Sequence, residues 1–87
     1  MLGLKPIKTL PIREKIAATL REAILARKIP AGEILTLEST AQELGVSITP
    51  VREAFQILAR DGLLELKQNK RAVVVGVTEK TIREHFQ

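Results

Sequence analysis

The 87 residues of this chain can enclose one hydrophobic core but not two, and 45% hydrophobic with 28% charged residues is the composition of a folded globular domain. The formal net charge of +4 favours a polyanionic partner, although many small domains are basic without one. The sequence contains no cysteine, which excludes disulfide scaffolds, zinc–thiolate modules and thiol catalysis.

The first predicted element is an amphipathic helix. Thr9 is a suitable N-cap, and Pro11 then lies in the first turn, where a missing N–H costs nothing. We expect Arg27 and Lys28 to close the helix, because cations are stabilised at the negative end of the helix dipole. The predicted buried stripe recurs at every fourth position and is widened by two alanines; it consists of Ile12, Ile16, Leu20 and Ile24 with Ala17 and Ala23.

A short strand and a second helix follow. Residues 34–37 are β-branched or aliphatic, and Thr36 can cap a helix that continues to Leu44, with Ala41 and Leu44 on its buried side. Gly45 lies where a left-handed residue commonly ends a helix. A further helix starts about three residues later, and two helices separated in this way are typical of a helix-turn-helix.

The third helix has the clearest division into apolar and polar faces. It begins after Ser47 or after Thr49, so Pro50 is either third or first in the helix, and neither position has an intrahelical N–H bond to lose. It continues to Asp61. Its predicted core stripe is Val51, Phe55 and Leu58, with Ala54 and Ala59 at the edge. Its polar face carries Thr49, Arg52, Gln56 and Arg60.

After Gly62, which ends the third helix, the apolar period changes from 3.6 to 2. Residues 63–66 and 72–75 are predicted to form an antiparallel hairpin whose cationic tip is the segment 67–71. The order of elements predicts a mainly α fold with a small β-hairpin, a winged helix-turn-helix with a three-helix core plus the wing. Thr78 can cap a new helix near the C-terminus.

The composition argues against an enzyme. His85 and Asp61 are the only residues of their types, and Tyr and Trp are absent, so convergent acid–base groups are scarce. No apolar run approaches the ~18 residues of a membrane span. The first residues lack the features of a signal peptide and a glycine at position 2. We therefore expect a cytoplasmic protein with no cofactor, no metal site and a solvated His85.

The third-helix region carries a specific motif. Residues 45–66, GVSITPVREAFQILARDGLLEL, resemble the GntR family of bacterial transcription regulators, whose pattern there reads approximately GVSRTPVREAL, a Leu-Ala pair and GLV or GLL. Residues 24–35 resemble the family's turn after the first helix, and residues 41–46 resemble its second helix. Residues 77–86, VTEKTIREHF, resemble the linker and first effector-domain helix of the FadR-like branch. The resemblance covers residues 12–86.

The resemblance implies sequence-specific binding to double-stranded operator DNA, with the third helix in the major groove and the wing at the minor groove. It further implies a metabolite-responsive repressor that is a homodimer at full length and senses its small-molecule effector through a C-terminal domain beyond this chain. The corresponding division of the chain is an N-terminal tail at 1–8, a winged helix-turn-helix DNA-binding domain at 9–77, and the start of a linker or effector-domain helix at 78–87.

Arg52 is the first candidate DNA contact. Its guanidinium can bond guanine O6 and N7 or a phosphate, and no acidic residue lies three or four positions away to hold it in an intrahelical ion pair. Ser47 and Thr49 can bind a phosphate at the helix N-terminus or act only as caps. Ile48 stands where the family usually has Arg; it can contact a thymine methyl or pack against the second helix, and the sequence leaves both open.

The wing tip supplies the other group of candidates. Lys67, Asn69, Lys70 and Arg71 cluster at the hairpin tip, the last three as candidate DNA contacts. Lys70 and Arg71 can enter a minor groove or lie on its phosphates, with an ordinary solvated turn as the alternative. Gln56 and Thr36 are weaker candidates with equally plausible surface roles. A winged-helix protein-interaction module that has lost specific DNA binding remains a competing interpretation. Ile48 and Arg71, both departures from the family pattern, keep it open.

Overall fold

The computed structural model describes Gly3 and residues 10–75. The described part contains α1 (Ile12–Leu25), β1 (Ile34–Thr36), α2 (Leu37–Leu44), α3 (Ile48–Arg60), β2 (Leu64–Lys67) and β3 (Arg71–Val74). This is the predicted winged helix-turn-helix. The predicted Thr9 cap, the predicted helix start at Thr78 and His85 lie outside the described residues. No helix between residues 10 and 75 is long and apolar enough to cross a membrane.

Helix α1 begins two residues later than predicted. Pro11 is the N-cap, with an extended ψ of 151°, and not a member of the first turn. Its carbonyl accepts the N–H groups of Glu14 at 2.9 Å and Lys15 at 3.2 Å, so the hydrogen-bond ladder starts there. The prediction that Ile12 is buried was wrong: it is 50% exposed, because the first turn of α1 extends past the core, which begins at Ile16.

The end of α1 also differs from prediction. The helix stops at Leu25, and Arg27 adopts a left-handed φ of 61°. The N–H of Arg27 donates to the Ile24 carbonyl at 3.0 Å and the N–H of Lys28 to the Ala23 carbonyl at 2.9 Å. These two bonds define a Schellman ending. Arg27 and Lys28 therefore form the turn that leaves the helix instead of lying in its last helical turn.

Helix α2 follows β1 without a loop. The prediction that Thr36 caps it is confirmed, because its hydroxyl accepts the Ser39 N–H at 3.1 Å. Gly45 has the predicted left-handed φ, at 69°. Leu37 belongs to the helix and not to the strand. Leu44 was wrongly predicted to be buried: it is 36% exposed, because the last turn of α2 borders an open groove against α1.

Helix α3 is the centre of the core. Ser47 is its N-cap, so Pro50 is the third helical residue, and the helix ends at Arg60 with Asp61 as C-cap. Ala54 is completely buried and belongs to the core cluster, so it does not lie at the edge of the stripe. The core cluster consists of Ile16, Ala17, Leu20, Ile24, Leu37, Ala41, Val51, Ala54, Phe55, Leu58, Leu63, Leu64, Ala72 and Val74.

The hairpin is present but shifted by one residue from the predicted strands. The turn is only Gln68-Asn69-Lys70, and Lys67 and Arg71 pair directly across it. The predicted strand β1 also joins the sheet, which has the antiparallel order β1-β3-β2. Thr36, Arg71 and Lys67 consequently lie in one row across the three strands.

Candidate nucleic-acid interface

Helix α3 presents its polar face to solvent. Thr49, Arg52, Gln56 and Arg60 are all exposed, while the opposite face is anchored in the core. Glu53, the neighbour of Arg52, points toward α1, where its Oε2 lies 4.0 Å from a guanidinium nitrogen of Arg13. Arg52 is therefore free of the carboxylate that lies closest to it in the sequence.

The acidic residues of α3 and the wing are all engaged by cations. Besides Glu53, Asp61 bonds Arg21 of α1 at 2.6 Å and Glu65 bonds Lys67 at 2.9 Å. Exposed pairs of this kind stabilise the fold little, but they decide which positive charges stay available. Among the described residues, no carboxylate lies within 4.0 Å of the cations that remain on these elements, which are Arg52, Arg60, Lys70 and Arg71.

The N-terminus of α3 is open to solvent. Ser47 is exposed, and its hydroxyl makes no capping hydrogen bond. The first turn contains no acidic residue, and Thr49 is exposed beside it. The first N–H groups of a helix without an internal acceptor are suited to a phosphate. Ile48 is half-buried and packs against the core cluster.

The wing tip has an unusual backbone. Asn69 and Lys70 are both exposed and both have a φ of 61°, a left-handed conformation that side chains other than Asn and Asp seldom adopt. The carbonyl of Lys70 accepts the N–H of Leu37 at 3.1 Å. The wing tip is thereby tied to the first residue of α2.

A groove of about 230 Å³ lies between α3 and the wing. Its apolar lining consists of the buried Leu37 and Phe55 and the exposed Leu66. Its polar walls combine side chains from both elements, namely Arg52, Gln56, Lys67, Lys70 and Arg71. Three cations without a carboxylate partner, Arg52, Lys70 and Arg71, line this concavity beside the paired Lys67, and they favour a polyanion. Within the described chain, no cluster of three or more His, Asp and Glu residues could hold a metal ion.

The structure thus brings four candidates, Arg52, Gln56, Lys70 and Arg71, to one groove. Asn69 lies beside it at the turn, and Thr36 lies on the strand next to Arg71. Ser47, Ile48 and Thr49 lie at the N-terminal end of α3 and do not line the groove. Lys67, which the sequence placed at the wing tip without assigning it a DNA contact, also lines the groove, and it pairs with Arg71 directly across the three-residue turn.

Comparison with known proteins gives a consistent result. Residues 12–74 match the sequence profile described as bacterial regulatory proteins, gntR family. The chain is 43% identical over 72 residues to the gluconate operon transcriptional repressor of Bacillus subtilis (strain 168), which is 83% of this chain and 29% of the repressor. The chain therefore spans less than a third of that relative.

Two solved structures share the fold and part of the sequence. E. coli McbR/YncC superposes with a TM-score of 0.77 at 25% identity, over 87% of this chain and 36% of that one. S. agalactiae BusR, solved in complex with its busAB-promotor DNA, superposes with a TM-score of 0.73 at 26% identity, over 91% of this chain and 40% of that one. Since the family profile covers all three helices and the wing, the chain belongs to the GntR family of bacterial regulatory proteins.

Proposed function

We propose that residues 9–77 form the operator-reading DNA-binding domain of a metabolite-responsive transcription repressor. The observation that carries the proposal is the convergence of Arg52 and Gln56 from α3 with Lys70 and Arg71 from the wing around one groove. The B-DNA major groove is about 12 Å wide and admits an α-helix. A helix seated there brings a wing on the same side of the domain against the adjacent backbone or minor groove.

The side chains of α3 divide into base contacts and phosphate contacts. Arg52 suits guanine O6 and N7, and Gln56 suits adenine N6 and N7, because each presents two hydrogen-bonding atoms at the right spacing. Ser47 and Thr49, at the open helix N-terminus, suit a phosphate that fixes the register of the helix. Lys70 and Arg71 supply the wing contact, with Asn69 and Thr36 at its margin.

The names of the relatives support the rest of the proposal. The B. subtilis relative is a gluconate operon transcriptional repressor, and the BusR structure contains promotor DNA. We accordingly propose a cytoplasmic repressor without enzymatic activity that is a homodimer at full length. Residues 78–87 begin a linker to an effector-binding domain of the FadR-like branch, and residues 1–8 are a tail.

The experiment is selection of bound duplexes from a randomised DNA pool, followed by a salt titration on the enriched sequence. We expect convergence on a single half-site motif, because one module binds, and an affinity that falls steeply with salt, with a log–log slope of about 0.9 for each phosphate contact. A pool that does not enrich, with only weak uniform binding, would contradict operator reading.

Two variants separate specific recognition from general positive charge. Arg52→Ala should weaken binding to the enriched sequence by about tenfold or more, since one bidentate base contact accounts for ~1–3 kcal/mol of discrimination. Lys28→Ala removes an equal charge from a separate groove between α1 and α2 and should change affinity little. If Arg52→Ala folds normally and binds as tightly as the parent, the protein-interaction module becomes the better explanation.

A further inference from the structure

We infer that Ile48 recognises the methyl group of an operator thymine about two base pairs from the base that Arg52 reads. The inference rests on the proposed function, because it assigns a specificity to one position of the same α3 surface. It makes Ile48 a determinant of operator sequence and not only a core residue.

The spacing along α3 places Ile48 beside the base-reading residues. Ile48 is the first residue of the helix, Arg52 follows one turn later and Gln56 one turn after that. Residues four apart share a helix face and are separated by ~6 Å along the axis. Successive base pairs are ~3.4 Å apart. A helix lying along the major groove therefore sets Ile48 about two base pairs from the Arg52 contact, at the end where recognition helices contact bases.

The packing of Ile48 makes its exposed part rigid. The side chain is half-buried and packs against the core cluster. An isoleucine in a helix has one strongly preferred χ1 rotamer, and the core contact fixes it further. The half-exposed side chain is thus already ordered before DNA arrives, so a contact with DNA costs little side-chain entropy.

The chemistry of isoleucine selects the base. Ile48 has no hydrogen-bond donor or acceptor, and the thymine C5-methyl is the apolar group that the base pairs present in the major groove. Opposite any other base edge, the side chain would displace water from a polar atom without replacing the hydrogen bond, which is unfavourable. Ile48 therefore favours thymine by attraction and disfavours the other bases by desolvation.

The test replaces each thymine of the enriched operator, one at a time, by deoxyuridine. This removes the C5-methyl and leaves the hydrogen-bonding edge unchanged. We expect about three- to fivefold weaker binding at one position in each half-site, the size expected for one buried methyl group. A 5-bromouracil at the same position, which restores the bulk, should recover the affinity.

Substitutions at Ile48 test whether this side chain causes the preference for thymine over uracil. Ile48→Ala should bind the thymine and uracil duplexes equally, and Ile48→Val should show an intermediate ratio. Gln56→Ala is the matched control, because it should lower affinity and keep the thymine preference. Replacing each guanine in turn by 7-deazaguanine, which lacks N7, locates the Arg52 contact. At that position the replacement should weaken binding of the parent protein and leave the affinity of Arg52→Ala unchanged. The thymine should lie about two base pairs from that guanine.

The outcomes distinguish this inference from the proposed function. If the pool does not enrich any sequence, operator reading fails and the Ile48 assignment fails with it. If an operator is enriched but no uracil substitution weakens binding, or the thymine preference survives in Ile48→Ala, operator reading stands and the Ile48 assignment is overturned. Thermal unfolding of the Ile48 variants checks that their folds are intact.

Discussion

The backbone carbonyl of Lys70 accepts a 3.1 Å hydrogen bond from the N–H of Leu37, which joins the tip of the wing to the start of α2. The first N–H groups of a helix have no partner within the helix, and the wing supplies one of them here. The bond holds Lys70 in a left-handed conformation, with φ of 61°, which costs about 1–2 kcal/mol for a residue with a Cβ atom. Backbone strain is thus located at the part of the wing that we propose to contact DNA.

Lys70→Gly should stabilise the fold and weaken DNA binding at the same time. Glycine adopts the left-handed conformation freely, and after its larger entropy loss on folding is subtracted, we expect a gain of about 0.5–1 kcal/mol in the free energy of unfolding. Loss of the ammonium should lower operator affinity and reduce the log–log salt slope by about 0.9. Chemical denaturation and a salt titration measure the two effects.

Lys70→Ala is the control for that pair of measurements. Alanine removes the same charge and keeps the strained backbone, so affinity should fall as in Lys70→Gly while stability stays close to that of the parent. Equal stability of the two variants would show that the left-handed backbone carries no measurable strain.

Arg27→Gly tests the same backbone chemistry far from the proposed interface. Arg27 also has φ of 61°, at the Schellman ending of α1, and it does not line the groove between α3 and the wing. Glycine should stabilise the fold by about 0.5–1 kcal/mol, and operator affinity should change less than twofold. A tenfold loss of affinity in Arg27→Gly would place α1's C-terminal turn in the DNA interface and contradict the proposed docking.

The sequence predicted well the elements that are marked by a periodic apolar stripe or by a glycine at a helix end. The stripe of Val51, Phe55 and Leu58 located α3, and glycine located the end of α2 at Gly45. The end of α1 was misplaced because Arg27, and not a glycine, occupies the left-handed position. The hairpin was shifted for the same reason, since the left-handed residues of its turn are Asn69 and Lys70.

The candidate site was predictable residue by residue, but its assembly was not. Helical spacing is enough to place Arg52 and Gln56 on one exposed face of α3. Their approach to Arg71 depends on β1 joining the sheet and on the bond between Lys70 and Leu37, which are long-range pairings without a local sequence signal. Tertiary packing therefore determines which cations share a groove.

Ala54→Leu should test how far DNA binding depends on the position of α3 against α1. Ala54 is completely buried, and α1 packs directly on α3. Extra methyl groups in a filled core cost about 1–3 kcal/mol and push packed elements apart. We expect that loss in the free energy of unfolding, together with weaker operator binding in protein that is still folded.

Ala59→Leu is the matched control for Ala54→Leu, because Ala59 lies on the same helix but is only half-buried. It should cost less than about 1 kcal/mol, since a side chain at the margin of the core can turn outward. If both variants bind operator as tightly as the parent, the exact seating of α3 on α1 is not needed for recognition.

The 87-residue chain is expected to bind operator DNA as a single domain. One small DNA-binding module buries only ~600–1,000 Å² of protein surface, so the 87-residue chain should bind a half-site and a palindromic duplex with nearly equal, weak affinity per site. Joining two copies through a C-terminal parallel coiled coil should tighten binding to the palindrome by about 10²–10⁴-fold, because the second contact becomes intramolecular. The half-site duplex should gain no comparable affinity from the fusion. Cooperative binding of the unfused chain to the palindrome would show instead that residues within this chain already form a dimer contact on DNA.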